Sequence, residues 1–190
     1  MIPDKMILAS GSPRRQELLK QIGMEPEIQK SQVEEVVTSS IPSEVVMELS
    51  AQKAEDVAQS SPAGSVVLGA DTVVAIDGMI LGKPVDHQDA YRMIKRLQGR
   101  NHQVYTGVTL IAKGEKNDRK TTFFEKTDVF VYPMTEEEIL AYAESEEPMD
   151  KAGSYAIQGQ FAAYIQGISG DYSNVVGLPA GRVYQELKKL

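Results

Sequence analysis

Three groups of residues in this chain have types and spacings that could do chemistry. The first is Ser10-Gly11-Ser12-Pro13-Arg14-Arg15. Ser12 suits a helix N-cap and Pro13 the first helical position, which puts both arginines in a first helical turn. That end of a helix carries unpaired N–H groups and about half a positive charge. Two guanidiniums there work slightly against folding, and they favour an anion such as phosphate. The second is Asp71, which interrupts the otherwise apolar run Val66-Val67-Leu68-Gly69-Ala70-Asp71-Thr72-Val73-Val74. A carboxylate in such surroundings is costly unless it is paired, metal-bound or used in catalysis. Gly69 and Ala70 leave room for a close backbone approach beside it. The third group is scattered: Glu34-Glu35, Lys53 among alanines, Lys83 between Gly82 and Pro84, and the glycine-punctuated stretch from Asp150-Lys151-Ala152-Gly153 to Ile157-Gln158-Gly159. Taken singly, these read as loop acids, surface lysines and a polar turn.

Magnitudes decide what such a set could hold. One Arg or Lys about 4 Å from a phosphate oxygen is worth roughly 4 kcal/mol at an effective dielectric of about 20. The net charge of −7, from 20 basic and 27 acidic residues, is spread over the surface and screened within about 8 Å. A local cluster of Arg14, Arg15, Lys53 and Lys83 would therefore outweigh it. Asp71 and Glu35 would repel the same phosphate unless a divalent cation bridged them. Acids and bases converging on one cleft thus imply phosphate with Mg²⁺ or Mn²⁺.

Much else is excluded. The chain has no cysteine, which removes disulfide frameworks, zinc ribbons, iron–sulfur clusters and thiol nucleophiles. There is no GxxxxGK[ST] loop, no GxGxxG fingerprint and no HExxH. His87 and His102, the only two histidines, read as surface residues. The start, Met1-Ile2-Pro3-Asp4-Lys5, has no secretory pattern, and the apolar run from Val66 is far below membrane-spanning length. A soluble cytoplasmic protein is expected, with no membrane partner. An acidic chain is also a poor general binder of nucleic acid.

The elements that must position these residues follow from periodicity. Residues 6–9 form a short buried strand. A helix follows from Pro13, with Leu18, Leu19 and Ile22 as its stripe and Gly23 as its stop. Residues 27–37 are extended and then irregular. Ser43 is expected to cap a second helix carrying Val45, Val46, Leu49, Lys53, Ala54 and Val57. Residues 66–76 form a long strand, and Asp77-Gly78 signals a hairpin turn. Asp86 and Asp89 frame a third helix, stopped by Gly99. Two strands, 102–112 and 121–132, follow around a polar turn. Thr135 with Glu138 makes a capping box for a fourth helix. Residues 162–168 and 174–176 read as strands, and 179–190 as a closing helix. Strands alternating with helices, with two hairpins among them, give an α/β protein with a mixed twisted sheet flanked by helices. Two lobes around a cleft, within a single domain over residues 1–190, are expected.

The same residues resemble the Maf family of nucleoside triphosphate pyrophosphatases. The matching pieces are Leu8-Ala9-Ser10-Gly11-Ser12-Pro13-Arg14-Arg15, Gly69-Ala70-Asp71-Thr72, Leu81-Gly82-Lys83-Pro84, Asp150-Lys151-Ala152-Gly153 with Ile157-Gln158-Gly159, and Gly170-Asp171-Tyr172 with Val176-Gly177-Leu178-Pro179. They occur in order across nearly the whole chain. The resemblance implies a fold similar to that of inosine triphosphate pyrophosphatases, often as a homodimer. It also implies hydrolysis of a nucleoside triphosphate to monophosphate and pyrophosphate with a divalent metal cation. Asp71 would then be the general base and, with Glu35 of the Glu34-Glu35 pair, would hold the metal. Arg15, Lys53 and Lys83 would bind phosphate oxygens, and Ser10 with the helix N-terminus would orient them. Members resembling dTTP/UTP enzymes carry Arg, Thr and Gln at the positions of Arg14, Thr72 and Gln158, whereas 7-methyl-GTP enzymes carry an aromatic in place of Arg14. A Gln amide offers a donor and an acceptor side by side, which matches a uracil or thymine edge. The resemblance thus points to dTTP and UTP, with modified UTP analogues, and to cleansing of nucleotide pools. The alternatives are a 7-methyl-GTP pyrophosphatase, or a nucleotide-sensing regulator of cell division or septum formation without relevant catalysis.

Overall fold

The computed structural model describes residues 5–190. The first four residues, part of the start read above as carrying no secretory pattern, lie outside it. The chain opens with β1 (Met6–Leu8), α1 (Pro13–Gln21), the two-residue β2 (Glu27–Ile28) and α2 (Pro42–Ala58). Then come β3 (Val66–Ile76), β4 (Met79–Leu81), α3 (His87–Leu97), β5 (Asn101–Ala112), β6 (Arg119–Val131) and α4 (Glu136–Ala143). Three short 3₁₀ turns lead into β7 (Ile165–Ser169), and α5 (Tyr172–Val176) and α6 (Ala180–Leu187) close the chain. No helix among the described residues is long and apolar enough to cross a membrane.

Seven strands make one mixed sheet in the order β2-β1-β3-β5-β6-β7, with β4 also on β3. β1 is parallel to β2 and β3, and every other pairing is antiparallel. Alternation along β3 sends its even residues to one face and its odd residues to the other. On the even face Leu68, Ala70 and Val74 join Leu19 of α1, Ile94 of α3 and Val183 of α6 in the main core. On the odd face Val67 packs with Ala54 and Val57 of α2, and Val73 with Val45 and Leu49. The helices thus cover both faces, as the strand–helix alternation required.

α2 lies unusually close to the sheet. A Cβ at Gly69 would stand 2.3 Å from the Ser50 carbonyl oxygen, and one at Gly107 would stand 2.1 Å from that of Val46. Only bare glycines on β3 and β5 permit that approach. Outside α2, residues 31–39 run as an irregular strap held by four of its side chains. Asp56 accepts from Ser31 Oγ and Gln32 N–H, Gln52 clips both N–H and C=O of Val36, Glu48 accepts from Thr38 N–H, and Glu44 accepts from Ser39 Oγ. A spacing of four puts these side chains on one stripe of the helix.

Several expected boundaries move. Ser43 is not the N-cap of α2: Ile41 is, with Pro42 as the first helical residue, where its missing N–H costs nothing. Residues 160–164 form a 3₁₀ turn, so the strand expected over 162–168 begins only at Ile165. Residues 174–176 are helical rather than extended, because Asp171 caps them by accepting from Ser173 N–H at 2.7 Å. Local capping overrides the β-preference of Val175 and Val176. His102 is not a surface residue: it points inward from β5, fully buried, with its Nε2 2.7 Å from the Tyr155 hydroxyl.

Candidate active site

β3 has two partners on one edge. β1 pairs with Val66–Leu68 and β4 with Val74–Ile76, while β5 follows the other edge through residues 66–75. Between β1 and β4, residues 69–73 face no strand on that edge. A cleft of about 530 Å³ opens near this gap, with Asp71 and Thr72 among its lining. The two residues leave the strand on opposite faces.

Asp71 points toward α2, where Lys53 meets it. Lys53 Nζ lies 2.6 Å from Asp71 Oδ1 and 2.9 Å from Glu35 Oε1. The Lys53 and Asp71 side chains are each only 16% exposed. The close approach at Gly69 and Gly107 sets the Lys53–Asp71 distance, since Gly107 is the residue paired with Asp71 across the ladder. Gln52, next to Lys53, clips Val36, next to Glu35, so the strap brings Glu35 to the same ammonium. Of the adjacent pair, Glu35 rather than Glu34 lines the cleft.

Thr72 points the other way, toward Arg15. Arg15 donates from Nε to the Gly177 carbonyl at 2.9 Å, from Nη1 to Ser10 Oγ at 3.1 Å and from Nη2 to Thr72 Oγ1 at 3.2 Å. All three acceptors are neutral, and among the described residues no carboxylate forms an ion pair with this guanidinium. Burial lowers its pKa from the ordinary value, the charges of Asp71 and Glu35 act in the opposite sense, and Arg14 adds to the lowering. A fixed, half-buried positive charge without a counter-ion is a ready partner for an anion. Ser10 Oγ also accepts the Ser12 N–H at 3.2 Å, at the start of α1. Arg14 sits nearer solvent and approaches Asp150 at 3.5 Å. Lys83 and Lys30 line the same cleft, and neither has an ion-pair partner among the described residues.

A smaller pocket of about 70 Å³ adjoins the cleft. Ser12, Arg14, Arg15 and Thr72 line both. Its other walls include apolar Ile157 and Val176 and the exposed Gln158, whose amide makes no protein hydrogen bond among the described residues. The arrangement is therefore a polar, cation-rich channel ending in a partly apolar recess with an amide at its rim.

The structure brings together all the expected residues: Ser10, Arg14, Arg15, Glu35, Lys53, Asp71, Thr72 and Lys83 line the cleft, and Gln158 lines the recess. Lys53 is not a free phosphate ligand, since it bridges two carboxylates. The Gly177 carbonyl, Lys30 and Gln52 are additions. The polar series Glu44, Glu48, Gln52 and Asp56 at spacings of four was the available sequence signal for the strap. Nothing local marks Gly177 as the partner of a residue near the start of the chain. Glu35 and Asp71 suit a small hard cation: two carboxylate oxygens already share one cationic atom, and Mg²⁺ typically takes one or two carboxylates plus phosphate oxygens and waters.

The family model described as Maf-like protein matches residues 5–190. A dTTP/UTP pyrophosphatase of Agathobacter rectalis is 53% identical, with the match covering 98% of this chain and 97% of the relative. Those of Lachnoclostridium phytofermentans (48%, covering 97% and 94%) and Carboxydothermus hydrogenoformans (52%, covering 97% and 98%) are similar over the same extent. Among solved structures, the Ham1 protein of Staphylococcus aureus aligns with a TM-score of 0.48 and 13% identity, over 67% of this chain and 72% of that one.

Proposed function

Because the chain belongs to the Maf-like family, we propose that its cleft hydrolyses nucleoside triphosphates, dTTP and UTP above others, to the monophosphate and pyrophosphate. The relatives at about half identity carry that name over nearly their whole length. The observation that carries the reading is the continuity of the cation-lined cleft with the recess holding Gln158, through a wall made of Arg14, Arg15 and Thr72.

Asp71 takes the proton of the attacking water, whose oxygen bonds to the α-phosphorus as the bond from that phosphorus to the α–β bridging oxygen breaks, and pyrophosphate leaves with the bridging oxygen. Arg15 meets the phosphate chain as a pre-oriented fork, its three neutral hydrogen bonds holding it in place before substrate arrives. Lys83 and Arg14 supply mobile charge at the mouth, and Ser10 with the α1 N-terminus orients the chain. Glu35 and Asp71 are the residues that would hold a divalent cation, which when bound neutralises phosphate charge and lets acids and polyanion share the cleft. Lys53 keeps both carboxylates aligned meanwhile. Gln158 meets the base edge, where a wrong base would leave buried polar groups unpaired. Removal of unwanted pyrimidine triphosphates, modified UTP analogues among them, follows as the cellular role.

The test is pyrophosphate release from a panel of triphosphates with Mg²⁺ or Mn²⁺. dTTP and UTP are expected to lead, and a chelator should stop turnover. Asp71→Asn should lose about 10²- to 10⁴-fold in kcat while the protein remains folded. Preference for 7-methyl-GTP, or full activity in Asp71→Asn, would overturn the assignment.

A further inference from the structure

Gln158 stands at the tip of a tight turn, closed by the Gly159 N–H donating to the Ala156 carbonyl at 3.1 Å. One end of that turn is tied directly, and the other through a tyrosine hydroxyl, to one side chain that neither lines the cleft nor belongs to the residues assigned above. Glu147 Oε2 accepts the Gln160 N–H at 2.9 Å, and Oε1 accepts the Phe161 N–H at 3.3 Å. Oε1 also accepts the Tyr142 hydroxyl at 2.8 Å, and the oxygen of that hydroxyl accepts the Ala156 N–H at 3.3 Å. The carboxylate lies over Gly159: a Cβ there would stand 2.2 Å from Oε2. Resting on the reading of Gln158 as the group that meets the base, we propose that Glu147 is a specificity-determining positioning residue, clamping both ends of the Gln158 turn so that its amide is held ready for a uracil or thymine edge.

The chemistry requires a carboxylate. Three donors converge on it, the hydroxyl of Tyr142 and the amides of Gln160 and Phe161, and a carboxylate accepts all of them. A glutamine side chain of the same shape would turn an N–H group toward at least one of them. Burial, with the hydrogen bond to Glu147, raises the pKa of Tyr142, so the phenol stays a donor across the working pH range. The aromatic side chains at the two ends are also packed together. Phe161 is fully buried with its ring centroid 5.0 Å from Tyr142 and 4.8 Å from Tyr155. Gln158 at the tip is exposed, as is the Gln160 side chain beside it. A base-reading amide on a loosened turn would lose orientation before it lost contact with phosphate, so KM and base discrimination should suffer more than kcat.

The experiment compares wild type, Glu147→Gln, Gln158→Ala and the double variant on dTTP, UTP, dCTP and GTP with Mg²⁺, together with amide exchange over residues 156–161. Glu147→Gln is expected to raise KM for dTTP and UTP about tenfold and to lower the dTTP-over-dCTP ratio similarly, with kcat changed by less than about threefold. Amide exchange should quicken at the turn. Added to Gln158→Ala, it should change the ratio no further, because the two act as one unit. Unchanged discrimination in Glu147→Gln beside a Gln158→Ala that has lost it overturns this proposal alone, as does an additive double variant. Unchanged discrimination in Gln158→Ala overturns the reading of Gln158 and this proposal with it. Should Glu147→Gln not fold, Tyr142→Phe removes the hydroxyl that joins Glu147 to Ala156 and leaves the bonds to Gln160 and Phe161 in place. A smaller loss in the same direction is then expected, and an unchanged ratio overturns the proposal.

Discussion

At the scale of single residues, the least expected placement is that of His102. It is wholly buried, its Nε2 is engaged by the Tyr155 hydroxyl, and its Nδ1 has no partner among the described residues. Burial lowers its pKa from 6.5 to about 4, with the charge of Asp128 acting weakly in the opposite sense. The folded protein therefore resists protonation that the unfolded chain accepts, so stability is full above about pH 6.5 and is lost as pH falls toward 4. Between pH 7 and pH 5 this group alone should withdraw about 2 kcal/mol. Urea midpoints at the two pH values should show it, and His102→Gln, which can keep a hydrogen bond to Tyr155, should lose that much less on acidification. Equal losses in both proteins would refute the account. Its inward direction was legible in the alternation of β5, where Val104, Val108 and Leu110 are the apolar members of the same face. Histidine's usual exposure argued the other way, and strand register decided.

Among the elements, α2 does most to build the site. Its inner face supplies Lys53, its outer stripe carries the strap with Glu35, and its distance from the sheet is set by two glycines on neighbouring strands. Gly107→Ala tests this arrangement. An alanine normally gains about 0.5–1 kcal/mol over glycine in a strand interior, yet here its Cβ would meet the Val46 carbonyl at 2.1 Å. Displacing the helix should cost about 1–3 kcal/mol net and widen the Lys53–Asp71 contact. Denaturant midpoint and kcat should fall together, and a variant as stable and active as wild type would show that the close approach is dispensable. The helix was readable from its apolar period, and Gly69 already signalled room for a close backbone approach, but the second seat was not readable, because Gly107 comes beside Gly69 only through β3–β5 pairing.

For the whole molecule, the decisive feature is that β1 and β4 share one edge of β3 and leave a gap between them. Cleft-lining groups come from both sides of that gap: Ser10, Arg14 and Arg15 after β1, and Lys83 after β4. A bound polyanion would bridge them and stabilise the fold by linkage. At a hundredfold excess over Kd, a non-hydrolysable UTP analogue with Mg²⁺ should add about 2.7 kcal/mol. For a chain of this size that is a rise in Tm of roughly 5–10 °C, readable by thermal denaturation. An equal rise with an ATP analogue at the same concentration would contradict base selection by the recess.

What the amino-acid sequence determined by itself was set within a few residues. Pro13 starts α1 with both arginines in its first turn. Asp77 and Gly78 both take positive φ in the hairpin turn, and Thr135 and Glu138 close their capping box. Those outcomes depend on local backbone preference and on hydrogen bonds to near neighbours. Tertiary structure alone decided that Lys53 would sit between Glu35 and Asp71, that Arg15 would reach the Gly177 carbonyl, and that one carboxylate at Glu147 would hold the Gln158 turn. Each of these joins segments whose separation is fixed by strand register and by how closely a helix can approach a sheet, neither of which is encoded in the spacing of the residues that meet.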